Sequence, residues 1–379
     1  MHSEHVVTVE KLAVGGDGVA RIPFKDRSIV VFIKLAAQED ELKIKITFVE
    51  KNFLRADILE ILKPSPARRQ APCPYFPTCG GCAWQHIDES EQVHQKEIIL
   101  QELFQKFIPG VDFNLLPTIY SPKNLHYRNR IQLKRLGTKL GYFQRESHDI
   151  VDIDLCLIAE KEISDQIPMV KAKLRPTTEV QKFELKLNQK NEFEYYNIGD
   201  QGEGLSFSQV NNEINQKLVG LVSQIVTKIN PTFVSELYAG AGNFTFDLLQ
   251  KLPNLRMESV EMNSELTKFA TQKLTSLSYQ KRLFAFTSDC ESFVARRSLS
   301  KQLVILDPPR AGCSDIVLKK IIETGPTDLI YISCHPVFLA RDLQKIMMAN
   351  QNFKIRHLQI FDMFPQTDHF ETFLYLSTT

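Results

Sequence analysis

The stretch that decides the fold is ELYAGAGNFT, residues 236–245, which ends a short apolar strand predicted over 233–239. Small residues at 239–242 let the backbone turn sharply and approach a ligand closely. Further apolar runs follow at 256–261, 283–288, 303–306 and 328–333, several of them separated by polar, helix-forming stretches. This alternation predicts an α/β fold whose sheet is doubly wound, mostly parallel and covered on both faces. Two more strands are expected at 355–361 and 372–377.

An acidic residue accompanies this glycine loop. Glu261 ends the next predicted strand, about 20 residues on, where a carboxylate can accept hydrogen bonds from ribose hydroxyls. The loop lacks the full G-x-G-x-x-G pattern, so little room is reserved for a pyrophosphate. A nucleoside cofactor such as S-adenosylmethionine therefore fits better than NAD. A tight turn followed by a surface glutamate is the alternative that needs no ligand.

Reactive side chains follow two later strands of the same sheet. Asp307-Pro308-Pro309-Arg310 follows the strand at 303–306, and Ser333-Cys334-His335-Pro336 follows the next. A cysteine between a strand end and a helix N-terminus lies in positive potential, which favours the thiolate. A buried structural cysteine is the alternative, but the meeting of three motifs at one sheet edge favours a nucleophile. Glu371, just before the last strand, is a candidate base.

Length and composition indicate the general class of protein. With 379 residues, 43% hydrophobic and 24% charged, the chain is expected to be a soluble globular protein of two or three domains. Its net charge of +1 says nothing about a polyanionic partner. No apolar run approaches the ~20 residues of a membrane span, and the N-terminus does not resemble a signal peptide. We therefore expect a cytoplasmic protein with reduced thiols.

The first part of the chain suggests nucleic-acid binding. Short strands broken by turns over residues 1–64 predict a small β-barrel. Lys43 and Lys45 would share its outer face, which is either solvated or in contact with nucleic acid. Residues 121–145 contain no acidic residue but seven basic ones: Lys123, Arg128, Arg130, Lys134, Arg135, Lys139 and Arg145. Aromatic residues lie among them, so this run favours RNA contact, with an ordinary strand surface as the alternative.

Four of the seven cysteines have the spacing of a ligand set. Cys73, Cys79 and Cys82 form a C-x5-C-x2-C motif, and Cys156 is the distant fourth. Spacing alone allows either structural zinc or a [4Fe–4S] cluster. Cys290 and Cys313 are interpreted as small apolar residues.

Taken in order, these motifs resemble one family across nearly the whole chain: the RNA uracil-5-methyltransferases that carry an N-terminal TRAM domain and an iron–sulfur cluster, above all those acting on 23S rRNA. The resemblance rests on residues 16–21, 73–82, 127–130, 141–143, 147–151, 208–211, 236–245, 307–310, 333–334 and 362–365.

The resemblance implies an architecture. It indicates an OB-like TRAM β-barrel that binds RNA over residues 1–64 and a central α+β domain with the cluster and RNA contacts over 65–204. A class I Rossmann-like, S-adenosylmethionine-dependent methyltransferase domain would follow over 205–379. The helix expected near 89–106 could belong to either of the last two domains. A monomer is expected.

The resemblance also implies a reaction and its residues. The chain would transfer a methyl group to C5 of a uridine, in 23S rRNA or else in tRNA, with Cys334 as nucleophile and Glu371 as base. The [4Fe–4S] cluster would be held by Cys73, Cys79, Cys82 and Cys156. The residues implied around S-adenosylmethionine are Gln209, Tyr238, Asn243, Glu261, Asp289 and Asp307.

Two positions depart from the family pattern, since His335 stands where Asn is usual and Gln366 where His is common. Two other functions compete with this one. An amino-methyltransferase would carry an aromatic residue in place of Arg310, and an RNA-binding protein without methyltransferase activity would not need Cys334 and Glu371.

Overall fold

The computed structural model describes residues 3–24, 27–188, 190–199, 209–276, 279 and 281–379. The chain forms two compact units: residues 1–99, 123–201 and 364–368 in the first, and 100–122, 202–363 and 369–379 in the second. The domain boundary predicted at 204/205 and the motif residue Ser208 lie outside the described residues. Among the described helices, none is both long and apolar enough to span a bilayer.

The N-terminal sheet has six strands in the order β1-β5-β6-β4-β3-β2. Its alternation has the predicted period of two, because Leu42, Ile44 and Ile46 are buried in the core while the lysines between them face outward. The strands are Glu4–Thr8 (β1), Lys11–Leu12 (β2), Gly18–Phe24 (β3), Arg27–Ile33 (β4), Glu41–Val49 (β5) and Phe53–Lys63 (β6).

A second sheet in the first unit has five strands in the order β10-β9-β8-β11-β12. One of its faces packs Ile131, Leu133, Phe183 and Leu185 into a core with two short helices. The elements that follow β6 in the chain are Glu89–Phe107 (α1), Leu115–Ile119 (β7), Arg130–Gly137 (β8), Lys139–Phe143 (β9), Ile150–Asp152 (β10), Lys161–Ser164 (α2), Ile167–Lys173 (α3), Thr177–Leu187 (β11) and Phe193–Asn197 (β12), of which β7 belongs to the sheet of the second unit.

The second unit is built on the predicted parallel sheet. Its elements are Asn212–Ile229 (α4), Phe233–Leu237 (β13), Thr245–Lys251 (α5), Arg256–Glu261 (β14), Ser264–Ser276 (α6), Leu283–Thr287 (β15), Cys290–Arg296 (α7), Leu303–Leu306 (β16), Asp315–Thr324 (α8), Asp328–Ser333 (β17), Pro336–Ala349 (α9), Lys354–Phe361 (β18) and Glu371–Ser377 (β19). All seven strands expected from the sequence are confirmed within two residues at each end.

The order of the strands brings the candidate site residues to one edge of the sheet. The sheet runs β15-β14-β13-β16-β17-β19-β18-β7, with β13 to β17 parallel and β19 antiparallel to β17. The order reverses between β13 and β16, which is where open α/β sheets bind ligands. The carboxyl ends of β13, β14, β16 and β17 therefore meet at one edge, and β19 begins there with Glu371. The edge strand β7 was not predicted; it pairs in parallel with β18.

Candidate active site

The loop after β13 has an unusual backbone. Gly240 and Gly242 have φ angles of 57° and 84°, and Tyr238 also adopts the left-handed region at 62°. That conformation strains a bulky residue, so the surroundings must hold Tyr238 in place. A Cβ atom on Gly242 would lie 2.5 Å from the Phe246 ring. The sequence indicated the glycines, but nothing in it signalled the strained tyrosine.

Glu261 ties this loop to the end of β14. Its Oε2 atom accepts a hydrogen bond from the Gly240 amide at 2.9 Å, and its Oε1 atom accepts one from the Asn263 amide at 2.7 Å. Each carboxylate oxygen keeps further acceptor capacity. The carboxylate is thus fixed at the sheet edge and can still accept hydrogen bonds from a ribose.

The other residues implied around the cofactor also have structural roles. Asn243 exchanges two side-chain hydrogen bonds with Asn215, both at 2.9 Å. Asp289 caps α7 by accepting from the Ser292 amide at 2.7 Å. Gln209 is buried shortly before α4. All of them belong to the second unit, together with Tyr238, Glu261 and Asp307.

Cys290 and Cys313 are buried, as predicted for small apolar residues. The Tyr238 hydroxyl hydrogen-bonds with the Cys313 thiol, and burial raises the pKa of this tyrosine. The two cysteines therefore pack beneath the strained residue of the loop.

Glu371 is a desolvated acid at the same edge. Its side chain is buried, and among the described residues its Oε2 atom has no hydrogen-bond partner. Burial, followed by the nearby charge of Asp307, raises the pKa of Glu371 well above its usual range, while Arg310 opposes the shift. Burial also raises the pKa of Asp307 to about 7. Asp307 can therefore hold a proton near neutral pH, and Glu371 holds its proton to a higher pH than an exposed glutamate does.

Cys334 interacts electrostatically with the same groups. Burial and then the charge of Glu371 raise the pKa of the thiol to about 12, and Arg310 acts in the opposite direction. Burial and two neighbouring carboxyl groups thus oppose the effect of the helix N-terminus, which was expected to favour the thiolate.

One further acid was missed as a site residue. Glu236, at the end of β13, is buried and accepts a hydrogen bond from the Thr245 hydroxyl. Burial raises its pKa to about 8, and Asp307 contributes to the shift. Its place inside the glycine-loop motif was the available signal. The site thus contains three desolvated acids, Glu236, Asp307 and Glu371.

The cysteine set lies in the first unit. Cys73, Cys79, Cys82 and Cys156 line one shared pocket. Backbone N–H groups are directed at its sulfur atoms, from Gly81 to Cys79 and from residues 158 and 159 to Cys156. In the part of the chain that is described, no three His, Cys, Asp or Glu side chains form a group that could hold a metal ion.

Glycine leaves room beside these sulfurs. A Cβ atom on Gly81 would lie 3.6 Å from the Cys79 Sγ atom and 3.5 Å from the Tyr142 ring. Burial raises the pKa of Cys79 to about 11 and of Cys82 to about 12. Arg128 lowers the pKa of Cys82 and Cys156. The cavity, the N–H donors and this cation fit a group that is bound by thiolates.

Several residues of the run that was predicted to contact RNA have contacts within the first unit. Arg128 lies over the rings of Tyr127 and Phe364, with both centroids 5.8 Å away. Arg135 is buried and donates to the Leu174 and Arg175 carbonyls. These arginines stabilise the first unit internally, because their hydrogen-bonding and stacking capacity is used there.

Further basic residues form ion pairs. Arg145 bonds to Asp17 at 2.8 Å, and Lys43 lies 2.8 Å from Glu4. The outward face of β5 is therefore partly neutralised. A basic run in the sequence does not distinguish such paired or buried cations from exposed ones.

Gln366, one of the two departures from the family pattern, is fully buried within the first unit. Its Oε1 atom accepts from Arg69 at 2.9 Å and Gln92 at 3.1 Å, and its carbonyl accepts from the Ala83 and Trp84 amides. This side chain stabilises the 364–368 segment. His335, the other departure, begins α9 and lies 4.8 Å from the Phe338 ring.

Comparison with known proteins identifies the family. A profile of the tRNA (uracil-5-)-methyltransferase family matches residues 182–379, and the TRAM domain profile matches residues 3–59. An uncharacterised RNA methyltransferase of Bdellovibrio bacteriovorus is 42% identical over 97% of this chain and 93% of its own length. The chain belongs to the tRNA (uracil-5-)-methyltransferase family. It is therefore an S-adenosylmethionine-dependent RNA methyltransferase with an N-terminal TRAM domain.

Two further relatives carry more specific names. A Schizosaccharomyces pombe tRNA (uracil(54)-C(5))-methyltransferase is 26% identical over 98% of this chain and 77% of its own. The crystal structure of a Pyrococcus abyssi tRNA (uracil-54, C5)-methyltransferase with S-adenosyl-L-homocysteine superposes with a TM-score of 0.72 at 20% identity, covering 98% of this chain and 100% of that one. The second similarity supports the fold.

The Glu371→Gln substitution is expected to speed alkylation of Cys334 by iodoacetamide at pH 9. Removing the negative charge lowers the pKa of the thiol toward its usual value, and each unit of pKa corresponds to about tenfold more thiolate below the pKa. Peptide mass spectrometry separates Cys334 from the other cysteines. The Asp315→Asn variant, which alters a carboxylate that is 84% exposed on α8, is the control and should alkylate like the wild type. An unchanged rate in Glu371→Gln would contradict the prediction.

Proposed function

We propose that this RNA methyltransferase methylates C5 of a uridine through a covalent adduct between Cys334 and C6 of the base. The observation that carries the proposal is the pairing of Ser333 with Thr372 across β17 and β19, which brings Cys334 and the buried carboxyl group of Glu371 to the same edge of the sheet. A nucleophile and a base are the two groups that this reaction needs.

Uracil C5 needs activation because it is a weak nucleophile. The Cys334 thiol first loses its proton to bulk water, and addition of the resulting thiolate to C6 makes C5 enolate-like, so that it can accept a methyl group. S-adenosylmethionine, when bound, supplies that methyl group as an electrophile. The target edge of a stacked base is inaccessible, so the uridine must be flipped out or already unpaired.

Glu371 completes the reaction. The methylated adduct carries both a hydrogen and a methyl group at C5. The carboxylate removes that proton, elimination breaks the C6–S bond, and the cysteine is freed. The raised pKa of Glu371 suits this role, because it makes the carboxylate a stronger base than that of an exposed glutamate.

The cofactor is assigned to the edge where β13, β14 and β16 end. We assign the ribose to Glu261 and the remaining contacts to Gln209, Tyr238, Asn243, Asp289 and Asp307. The left-handed turn at Tyr238 and Gly240 supports this assignment, since it allows close approach to the backbone.

The Cys334→Ala variant should yield no 5-methyluridine while binding S-adenosylmethionine within about twofold of the wild type, because the thiol acts only on the base.

The Glu371→Gln variant should instead accumulate a covalent protein–RNA complex, since addition proceeds and proton removal fails. A denaturing gel and nucleoside mass spectrometry measure the two outcomes. Full methylation by Cys334→Ala would contradict the covalent mechanism.

For the substrate we propose a uridine in 23S rRNA, because the TRAM domain together with the four-cysteine set resembles the enzymes that act there. Transfer RNA is the second candidate, because relatives similar over nearly the whole chain are named tRNA (uracil-54) methyltransferases.

Loss of the gene from its host is expected to remove one 5-methyluridine from 23S rRNA and to leave tRNA unchanged. Mapping 5-methyluridine in purified rRNA and tRNA, with and without the gene, measures this. Complementation with the Cys334→Ala variant is the control and should not restore the modification. Loss confined to tRNA would support the second candidate instead.

We also propose that Cys73, Cys79, Cys82 and Cys156 bind a [4Fe–4S] cluster with a structural role. Their shared cavity and the N–H groups directed at two of the sulfurs support this, because hydrogen bonds to sulfur tune such clusters. The proposed methyl transfer has no redox step.

Protein purified without oxygen is expected to be brown and to contain about four iron atoms per chain. The Cys156→Ser variant should lose most of the iron, whereas Cys290→Ser, a change at a buried cysteine of the second unit, should keep it. Elemental analysis of iron and zinc measures both. A colourless protein with one zinc per chain would contradict the cluster.

A further inference from the structure

The five-stranded sheet of the first unit has one face that its hydrophobic core does not use. Alternation along β8 and β11 directs Ile131, Leu133, Phe183 and Leu185 into the core with α2 and α3. The residues between them point to the opposite face, and the strand register pairs Lys134 with Lys182 and Gln132 with Glu184. Gln132 and Lys182 are exposed, so this face is open to solvent as far as the described residues show.

Two like charges lie directly opposite each other on this face. Lys134 and Lys182 are register partners on adjacent strands, where side chains approach closely and like charges repel. Among the described residues neither ammonium group forms an ion pair. The repulsion contributes to lowering the pKa of Lys134, after the larger effect of burial. An anion between the two lysines would remove this repulsion.

The acidic residues of the face are already neutralised. Glu184 is fully buried, accepts from Gln132 at 3.1 Å and from the Tyr196 hydroxyl, and lies 3.8 Å from Arg130. Glu194 lies 3.9 Å from Lys186. The uncompensated charge of the face is therefore positive and includes the lysine pair.

An aromatic ring and apolar side chains complete the surface. The hydrogen bond to Glu184 fixes the partly exposed Tyr196, and the Lys186 Nζ atom lies 5.1 Å from its ring centroid. A ring held in this way loses little entropy when a base stacks on it. Leu136, which is 36% exposed, lies two residues after Lys134 in β8, and Val180, which is 47% exposed, lies two residues before Lys182 in β11.

We propose that this face, formed by Gln132, Lys134, Lys182 and Tyr196, binds a single-stranded segment of the RNA substrate, with a phosphate between the two lysines and a base stacked on Tyr196. Positive charge beside an aromatic platform is the pattern of single-strand binding, whereas double-stranded RNA offers no free base for stacking. The inference rests on the RNA methyltransferase activity for its ligand class but not on the covalent mechanism.

The test measures RNA binding directly by the full chain without S-adenosylmethionine. The probe is fluorescein-labelled oligouridylate of 20 nucleotides, followed by fluorescence anisotropy at several salt concentrations. The double variant K134A/K182A should bind about tenfold more weakly. The slope of log affinity against log salt should shrink by about 0.7, since the variant loses one phosphate contact and each single-strand contact contributes about 0.7.

Control variants distinguish the loss of this particular face from a general loss of positive charge. K268A/K319A removes two exposed lysines from helices of the second unit and should bind like the wild type, with thermal unfolding confirming that both double variants are folded. K134R/K182R should retain binding. Tyr196→Ala should weaken binding about tenfold, and Tyr196→Phe, which keeps the ring, should lose less than threefold.

Two results would overturn the inference. One is equal affinity and equal salt slope in K134A/K182A and K268A/K319A. The other is a K134A/K182A defect in binding polyglutamate with unchanged binding of oligouridylate, which would assign the face to an acidic protein. Methyl transfer is assayed separately, so a protein that binds RNA through this face without forming 5-methyluridine would refute only the proposed reaction.

Discussion

Desolvation of acids at the carboxyl edge of the parallel sheet is the constraint on which the candidate site depends. Glu236, Asp307 and Glu371 are placed there by three different strands, and each has a raised pKa because water is excluded. Arg310 offsets only part of this cost. Removing charged groups from water is unfavourable, so the fold must hold these side chains against their tendency to reach solvent. The energy is supplied by the surrounding apolar strands, which are almost entirely buried.

This constraint also accounts for the state of Cys334. In an isolated helix N-terminus the thiolate would be favoured, yet burial and then the neighbouring carboxyl groups raise the pKa of the Cys334 thiol. A nucleophile that stays protonated until the site is filled reacts poorly with stray electrophiles. The same electrostatic arrangement therefore limits side reactions and prepares an acid–base pair for the substrate.

The sequence predicted the elements whose structure follows from their own residue pattern. Apolar strands of the parallel sheet are buried on both faces, so continuous runs such as 303–306 were visible without any tertiary information. The edge strand β7 was not, because it is short, contains Pro117 and owes its structure to pairing with β18. The strained φ angle of Tyr238 is likewise imposed by its surroundings.

Charge was harder to interpret than hydrophobicity. The sequence predicted one basic surface over residues 121–145. In the structure, Arg128, Arg135 and Arg145 make contacts within the first unit. Lys134 instead faces outward beside Lys182, which comes from a strand about fifty residues later in the chain. Exposure and pairing depend on the register of distant strands. The candidate nucleophile and base could be proposed from sequence motifs. The pairing of Lys134 with Lys182 could not, because it depends on the strand register.

The second unit is discontinuous in sequence, and this limits how the protein can be divided. Its outermost strand comes from residues 115–119, and the chain crosses into the first unit at 364–368 before β19. A fragment starting near residue 202 would lack that edge strand and would leave Gln366 without Arg69 and Gln92. Domain shuffling by simple end-to-end fusion would therefore be disfavoured, and the methyltransferase unit is expected to evolve together with the segments that precede it.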